Sequence, residues 1–255
     1  MDSINVIKVG GGILEDEAST AALLDRFAAL PGHKVLVHGG GRSATRIAAQ
    51  LGVESRMVEG RRITDEPMLR IVTMVYAGLV NKSTVAALQA RGVNALGLCG
   101  ADMDVIRGHK RPVKDIDYGW VGDIDRVDAS MLQKLIDEQV VPVMAPLCHD
   151  GKGHMLNTNA DTIAREVAAA LARYYRVTLT FCFEKPGVLS QPDNDNSVIP
   201  HINKALYAQL KADGTISGGM IPKIDNAFAA LAAGVENVVI TRADNLDGSS
   251  GTLIN

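Results

Sequence analysis

The chain has 255 residues, of which 47% are hydrophobic and 22% are charged, and its formal net charge is −3. This length and composition are typical of a globular protein with one large domain or two lobes. The slightly negative charge and an aromatic content of only 4% argue against a nucleic-acid-binding surface and against attraction to an anionic membrane.

The N-terminus lacks the features of a secretory signal, and no apolar run approaches the length of a membrane span. We therefore expect a cytoplasmic protein. Cys99, Cys148 and Cys182 lie far apart in or beside apolar runs, which favours reduced, structural thiols. The six histidines form no i, i+4 pair and no Cys–His spacing, so we do not expect a metal site held by the protein.

A predicted strand that ends in glycines opens the chain. It covers residues 4–9, and Lys8 lies just before the glycines at 10–12. Because a buried ammonium needs a partner and glycine amides can point at an anion, this stretch outlines a phosphate site. The alternative is a lysine that extends to solvent beside an ordinary turn. A second predicted strand, 34–38, also runs into glycines, 39–41, and then into a helix.

Strands and helices alternate through the rest of the chain, which predicts a mostly parallel sheet with helices on both faces. The polar, glycine-bearing stretch 100–128 predicts a small hairpin excursion over the core. Helices are predicted over 18–30, 42–51, 64–89, 131–139, 157–173, 203–210 and from 220 to 233, and further strands over 93–98, 140–145, 177–183, 237–241 and 252–254.

Residues 39–44 contain G-x-G-x-x-A, a pattern found in dinucleotide-binding turns. That pattern also needs an acidic residue that closes the next strand about 20 residues further on. Glu59 falls near this distance, but it precedes glycine and arginine rather than ending an apolar strand. An NAD(P) oxidoreductase is therefore an alternative of a different class, and it leaves Lys8 and Lys223 without a role.

Several polar residues lie at predicted helix starts. Arg62 precedes one helix, Asn157 and Asp161 lie four residues apart at another, and Lys223 lies one turn inside a third. Each alone is as easily explained as a surface residue or a cap. Together with two glycine loops they are the groups that phosphoryl transfer to a carboxylate needs, because amides and lysines neutralise the developing charge while the others position the reactants.

The same segments resemble, in order, the motifs of the acetylglutamate kinases, in the amino acid kinase family, from residue 4 to residue 254. The matching motifs are Lys8-Val-Gly-Gly, His38-Gly-Gly-Gly, Gly60-x-Arg62-x-Thr64, Asn157-x-Asn159-Ala-Asp161, Gly219-Met220-x-x-Lys223 and Gly251-Thr252. The resemblance implies an α/β fold, a three-layer αβα sandwich around a mostly parallel central sheet. It implies a single domain with an acyl-amino-acid lobe at about residues 1–175 and a nucleotide lobe at about 176–255.

The implied reaction is the ATP-dependent phosphorylation of the γ-carboxylate of N-acetyl-L-glutamate in arginine biosynthesis, with Mg²⁺ bound through the nucleotide. Carried over by position, Lys8 and Lys223 stabilise the transition state, and Asp161 holds both lysines. The implied substrate-binding residues are Gly40, Gly41, Arg62, Asn157 and Asn159. The implied nucleotide-binding residues are Gly11, Gly12, Glu184, Gly187, Gly219 and Met220.

Two segments depart from the family pattern. Residues 183–187 read Phe-Glu-Lys-Pro-Gly where the family often has Thr-Asp-Val-x-Gly, which leaves the adenine contacts open. The resemblance makes residues 107–125 a lid over the acyl group, and its segment 107–114 is unusually basic. Positive charge there would pair with an acidic acyl group, so N-succinylglutamate is an alternative substrate to N-acetylglutamate.

Other substrates of the family, namely carbamate, aspartate, glutamate and UMP, also remain alternatives, as does a sensor that keeps the fold without the chemistry. Only seven residues precede Lys8, whereas arginine-inhibited hexameric relatives carry an extra N-terminal helix. We therefore expect a homodimer that arginine does not inhibit, and closed two-fold pairing is also the commonest oligomeric arrangement.

Overall fold

The computed structural model describes residues 1–58, 60–246 and 250–255. Glu59, the acidic residue considered for a dinucleotide site, lies outside the described residues. Two sheets and one short ribbon are built from the strands of the described part. Their bounds are β1 Ser3–Val9, β2 His33–His38, β3 Met57–Val58, β4 Arg61–Arg62, β5 Ala95–Leu98, β6 Ile106–Lys110, β7 Gly122–Val127, β8 Val141–Met144, β9 Leu147–His149, β10 Met155–Asn157, β11 Arg176–Phe183, β12 His201–Ile202, β13 Asn237–Arg242 and β14 Thr252–Ile254.

The central sheet has eight strands in the order β12-β14-β13-β11-β1-β2-β8-β5. Every neighbouring pair is parallel except β13 and β14. Strands such as β2 are buried along almost their whole length, as expected of a parallel sheet that is covered on both faces. The predicted mostly parallel sheet is therefore confirmed.

Alternation along β1 separates the two faces of this sheet. Ile4 and Val6 belong to a core that also contains residues of the helices packed on one face. Ile7 and Val9 belong to a second core on the opposite face, together with Phe27. Two helical layers thus enclose one sheet, which confirms the three-layer αβα sandwich. Lys8 alternates with Ile7 and Val9, so its side chain lies on the same face as Val6.

Eight α-helices are described, at the bounds α1 Glu17–Ala29, α2 Gly41–Gln50, α3 Glu66–Val72, α4 Asn81–Gln89, α5 Ala129–Asp137, α6 Ala160–Leu171, α7 Lys204–Ala212 and α8 Met220–Ala232. A π-helical segment, Thr73–Val80, joins α3 to α4, so the predicted helix over 64–89 is confirmed as one run from Glu66 to Gln89. Asp65 caps its start by accepting a hydrogen bond from the Met68 amide at 3.0 Å.

This run from Glu66 to Gln89 is long and apolar enough to cross a membrane by length and composition, contrary to the expectation from the sequence. However, 39% of its most apolar stretch is buried inside the molecule, and core helices of water-soluble proteins can be equally long and apolar. The run is therefore only weak evidence for a membrane span.

The second sheet has four strands in the order β10-β9-β6-β7. The predicted hairpin excursion is present as β6 and β7, but it forms half of a larger sheet rather than a lone hairpin. The prediction that a helix begins at Asn157 is wrong, because Asn157 ends strand β10 and α6 begins only at Ala160. The backbone amide of Asn157 donates to the carbonyl of Trp120 at 2.9 Å, and this bond keeps the residue in the sheet.

Candidate active site

The candidate site lies where the central parallel strands end. Strand β1 lies between β2 and β11, and the loops at 10–12, 39–41 and 183–187 all leave the same edge of the sheet. From β1 the chain continues to a neighbour on one side, β2, and much later to a neighbour on the other side, β11. In open α/β sheets, ligands bind in the crevice at such a switch point.

The two glycine loops touch each other through their backbones. A Cβ atom added to Gly39 would lie 2.9 Å from the Gly11 amide nitrogen, and one added to Gly11 would lie 3.2 Å from the Gly40 nitrogen. Larger residues would force the loops apart. The absence of side chains therefore brings two sets of backbone amides together, and backbone amides in such loops are suited to bind phosphate oxygens.

Asp161 lies between two lysines that come from different elements. Its Oδ1 atom is 2.7 Å from the Lys8 Nζ atom, and its Oδ2 atom is 3.5 Å from the Lys223 Nζ atom. Lys8 lies near the end of β1, Asp161 in the first turn of α6, and Lys223 one turn inside α8. The short contact between Lys8 and Asp161 is a buried ion pair, in which Coulomb attraction is little screened. The structure thus brings the three predicted catalytic residues together.

Burial and charge act in opposite directions in this cluster. Burial raises the pKa of Asp161, but the charges of Lys8 and Lys223 outweigh that effect and hold the pKa below its ordinary value. Burial lowers the pKa of Lys223, and attraction to Asp161 opposes the shift. Asp161 is therefore ionised at neutral pH and serves as the shared counter-ion of two cations.

Arg62 is buried beside the second glycine loop. Its Nη2 atom donates to the Gly41 carbonyl at 2.8 Å and to the Thr45 hydroxyl at 2.9 Å, and its Nη1 atom donates to the Ser55 hydroxyl. Tyr76 packs against Gly40, where an added Cβ atom would lie 2.7 Å from its ring. Burial raises the pKa of Tyr76 although the Arg62 charge acts to lower it. Arg62 therefore joins the second glycine loop to Thr45 and Ser55.

Asn157 and Asn159 are only two positions apart in the sequence, but their side chains have different surroundings. The Asn157 amide donates to the Thr64 hydroxyl at 2.9 Å, and that hydroxyl donates to the Arg62 carbonyl at 3.2 Å. Asn159 caps α6, because its side-chain oxygen accepts hydrogen bonds from the amides of Asp161 and Thr162. Asn157 thus belongs to the Arg62 network, whereas the oxygen of Asn159 is used by the helix.

The predicted nucleotide residues do not all line one surface. Gly11, Gly12 and Glu184 line a cleft of about 310 Å³ at the end of β1. Gly187 is buried instead, where an added Cβ atom would lie 2.8 Å from Val198 and 2.9 Å from the Thr252 hydroxyl. Close packing against these two side chains therefore explains why residue 187 is a glycine. Gly219 and Met220 lie at the start of α8, one turn before Lys223.

The basic segment 107–114, which the resemblance predicts to be part of a lid, is largely neutralised by acidic residues of the same region. Arg111 contacts Asp123 at 2.5 Å, Arg107 contacts Asp104 at 2.6 Å, and His109 contacts Asp125 at 2.7 Å. Asp123 and Asp125 lie on β7, opposite the basic strand. Next to them, the Trp120 amide donates to the Thr64 carbonyl at 2.7 Å. The segment 107–125 is therefore joined to the Arg62 and Asn157 network.

His38, which precedes the second glycine loop, has a structural role that its motif did not reveal. Its Nδ1 atom lies 2.8 Å from the Gly39 carbonyl, so Nδ1 carries the proton. The Asn81 amide nitrogen donates to His38 Nε2 at 3.0 Å and to the Val143 carbonyl at 2.9 Å. Burial lowers the pKa of His38 to about 4. A neutral imidazole thus holds the backbone of the second glycine loop at the Gly39 carbonyl.

The three cysteines have a structural role, as the sequence predicted. Cys99, Cys148 and Cys182 are all free and buried, and burial raises the pKa of Cys182 to about 12. Within residues 1–58, 60–246 and 250–255, no group of three or more His, Cys, Asp or Glu side chains is placed to hold a metal ion.

Two glycine loops that converge on a lysine–aspartate–lysine cluster, at the ends of parallel strands, define an enzyme of the phosphoryl-transfer class. The chain belongs to the amino acid kinase family, which matches residues 3–242. It is 64% identical over 253 residues to the acetylglutamate kinase of Bacteroides thetaiotaomicron, and the match covers 99% of this chain and 98% of that protein. The resemblance seen in the ordered motifs is thereby confirmed.

Solved structures agree on the fold. The crystal structure of smu.665 from Streptococcus mutans has a TM-score of 0.82 and 29% identity, and covers 99% of this chain and 98% of that chain. The carbamate kinase of Giardia lamblia bound to AMP-PNP has a TM-score of 0.70 at 17% identity, with 99% and 98% coverage. The second match shows the fold alone.

The buried neutral His38 predicts a specific dependence of stability on pH. Its pKa is about 4 in the folded chain and about 6.5 when unfolded, so the unfolded chain binds more protons between these values. The contribution is complete above about pH 6.5 and is lost as the pH falls towards 4. From pH 7 to pH 5, a His38→Gln variant should lose about 2 kcal/mol less unfolding free energy than wild type. Urea titrations at fixed protein concentration measure this, and equal losses would contradict it.

Proposed function

We propose that this chain transfers the γ-phosphoryl group of ATP to the γ-carboxylate of N-acetyl-L-glutamate, giving N-acetylglutamyl 5-phosphate for arginine biosynthesis. The observation that carries the proposal is the Lys8–Asp161–Lys223 cluster beside two touching glycine loops. The acceptor is supported by relatives that are named acetylglutamate kinase and are up to 64% identical over nearly the whole chain.

The chemistry needs positioning and charge more than it needs a base. The acceptor carboxylate is already ionised at neutral pH, so its oxygen attacks the γ-phosphorus while the bond to the bridging oxygen of ADP breaks. Lys8 and Lys223 neutralise negative charge on the transferring group and on the leaving oxygen. Asp161 is engaged by both lysines and acts as their positioning residue. Mg²⁺ arrives as part of the MgATP substrate.

The acceptor occupies the side of the site formed by Gly40, Gly41, Arg62 and Asn157. Arginine suits a carboxylate because its guanidinium is always charged and carries five N–H donors, of which Gly41, Thr45 and Ser55 use three. Arg62 already donates to the Gly41 carbonyl, so a substrate bound there is held directly against the glycine loop. In this scheme most acceptor contacts come from residues 1–175, and most nucleotide contacts come from residues 176–255. Gly11 and Gly12 are the exceptions, because they lie in the first range but contact the nucleotide.

N-succinylglutamate is a second candidate substrate, and one atom of the lid favours it. Arg111 uses its Nε and Nη2 atoms to contact Asp123, and its Nη1 atom is buried without a hydrogen-bond partner among the described residues. A buried unpaired donor is costly, and the terminal carboxylate of a succinyl group is an acceptor that an acetyl group lacks.

We also propose that the chain is a cytoplasmic homodimer formed through the β5 edge of the central sheet. Strand β5 ends the strand order, and Leu96 on it is 38% exposed. The start of α4 lies beside it, because Lys82 Nζ donates to the Gly97 carbonyl at 2.9 Å. Leu79 and Met74 in the preceding turns are 52% and 55% exposed. Two-fold pairing would cover the open edge and these apolar side chains.

Removal of either lysine should reduce turnover. We expect Lys8→Ala and Lys223→Ala each to lower kcat by about 100-fold or more, the scale for losing one transition-state charge contact. Arg62→Ala should mainly raise the KM for the acidic acceptor. Steady-state ADP release measures all three, with Lys204→Ala on the exposed start of α7 as the control. A near-wild-type kcat in either lysine variant would refute the mechanism.

A substrate panel separates the two acyl groups. If N-acetylglutamate is the substrate, kcat/KM for it exceeds that for N-succinylglutamate and free glutamate, and Arg111→Ala leaves that preference unchanged. If the succinyl compound is the substrate, Arg111→Ala should lower its kcat/KM by roughly tenfold or more, the scale for losing a charge-assisted hydrogen bond. Arg126→Ala is the matched control, because Arg126 lies on the same sheet and also contacts an acid.

The dimer proposal predicts a mass of twice 27.1 kDa by light scattering. Charges placed at the proposed contact, in Leu79→Glu together with Leu96→Glu, should give monomers because unpaired buried charges are expensive. Leu51→Glu at another exposed position should leave the mass unchanged. A hexamer, or a wild-type monomer at micromolar concentration, would contradict the proposal.

A further inference from the structure

Arg42 lies over the first glycine loop although it belongs to the element after the second one. It follows Gly41 in the first turn of α2, and its side chain is 65% exposed. A Cβ atom added to Gly12 would lie 2.6 Å from the Arg42 Nη1 atom and 3.0 Å from its Cζ atom. The guanidinium therefore lies against the backbone at Gly12, in the cleft that Gly11, Gly12 and Phe183 also line.

Glu184 holds the guanidinium in this position. Its Oε1 atom is 3.1 Å from Arg42 Nη2 and would lie 2.7 Å from the Cβ atom added to Gly12. The Glu184 side chain is 64% exposed. An exposed pair of this kind contributes little to stability, because solvent screens the two charges. A phosphate group, which accepts two hydrogen bonds from one guanidinium, can therefore displace the carboxylate at little cost.

The charge balance of the site gives Arg42 a function. Lys8 and Lys223 share the negative charge of Asp161, so the cluster supplies one net positive charge. The triphosphate of ATP carries several negative charges, and Arg42 is a further cation at the same loops. Resting Arg42 is neutralised by Glu184, and transfer of its guanidinium to phosphate would add its charge when the nucleotide binds.

We propose that Arg42 is a further phosphate-binding residue of the nucleotide site and that Glu184 is its positioning residue, exchanged for the nucleotide phosphates on binding. This inference rests on the proposed ATP-dependent function. It gives Glu184 a different role from the direct nucleotide contact that the family resemblance implies. The two roles predict opposite effects of removing the carboxylate charge.

The test is calorimetric binding of Mg·AMP-PNP to wild type and variants, without acceptor. Arg42→Gln should weaken binding about tenfold, the scale for losing a charge-assisted hydrogen bond, and Arg42→Lys should restore part of the loss because it keeps the charge. Arg46→Gln, one turn further along α2 and also exposed, should bind as wild type. AMP, which lacks the β- and γ-phosphates, should bind wild type and Arg42→Gln equally, which separates a lost phosphate contact from a damaged cleft.

The Glu184 variants test the exchange itself. Glu184→Gln should bind Mg·AMP-PNP several-fold more tightly, because Arg42 is free and a negative charge is gone. The double variant Arg42→Gln/Glu184→Gln should bind less tightly than Glu184→Gln alone, which excludes repulsion by an unpaired Glu184 as the cause of the Arg42 effect. Weaker binding by Glu184→Gln, or wild-type binding by Arg42→Gln, would overturn the inference.

The binding assay also separates this inference from the proposed function. If N-acetylglutamate and N-succinylglutamate are not phosphorylated but Mg·AMP-PNP binding depends on Arg42, only the assignment of the acceptor fails. If turnover is normal and binding does not depend on Arg42, only the inference fails. If wild type binds no Mg·AMP-PNP, both are wrong.

Discussion

The ionised carboxylate of Asp161 is the interaction on which the arrangement of the site depends. Two ammonium groups held close together repel each other, and this repulsion is strong where solvent is excluded. Asp161 lies within 2.7 Å of one ammonium and 3.5 Å of the other, so both can remain charged near one point. Because the three residues come from β1, α6 and α8, the packing of these helices on the face shared by Val6 and Lys8 sets the geometry of the cluster.

A second constraint is the absence of side chains at the glycine loops. The backbone at Gly11 approaches the backbone at 39–40 more closely than a Cβ atom would allow. Loops held this close need support from outside, and the structure provides it on two sides. On one side, Asn81 of α4 holds His38 of β2, whose ring donates to the Gly39 carbonyl; on the other side, Arg62 donates to the Gly41 carbonyl. Preorganised amides of this kind lose little freedom when a phosphate binds.

The sequence was sufficient for the features whose signal is local. Apolar runs that end in glycines predicted β1, β2 and the loops, and the position of Lys8 before its glycines predicted a cation at the site. The Asn157 prediction was wrong because β10 has three residues, too few to show a period of two, and a polar cluster beside it imitates a helix start. The role of His38 could not be predicted from the sequence either, because its hydrogen-bond partner Asn81 is 43 residues away in the chain. The contact of Arg42 with Glu184 spans 142 residues.

The segment 107–125 shows why the net charge of a segment is a poor guide to what the segment binds. Arg107 on β6 lies directly opposite Arg126 on β7, an arrangement that would destabilise the sheet if the two charges were not shared. Asp104 resolves this by accepting hydrogen bonds from both arginines and by contacting His149 on β9 at 2.7 Å. One carboxylate thus joins three strands of the second sheet. It also neutralises positive charge that the sequence alone predicted to face a ligand. In the proposed reaction, selectivity for the acyl group then depends on the direction of individual donors, such as the buried Nη1 atom of Arg111, rather than on the electrostatic field of the whole segment.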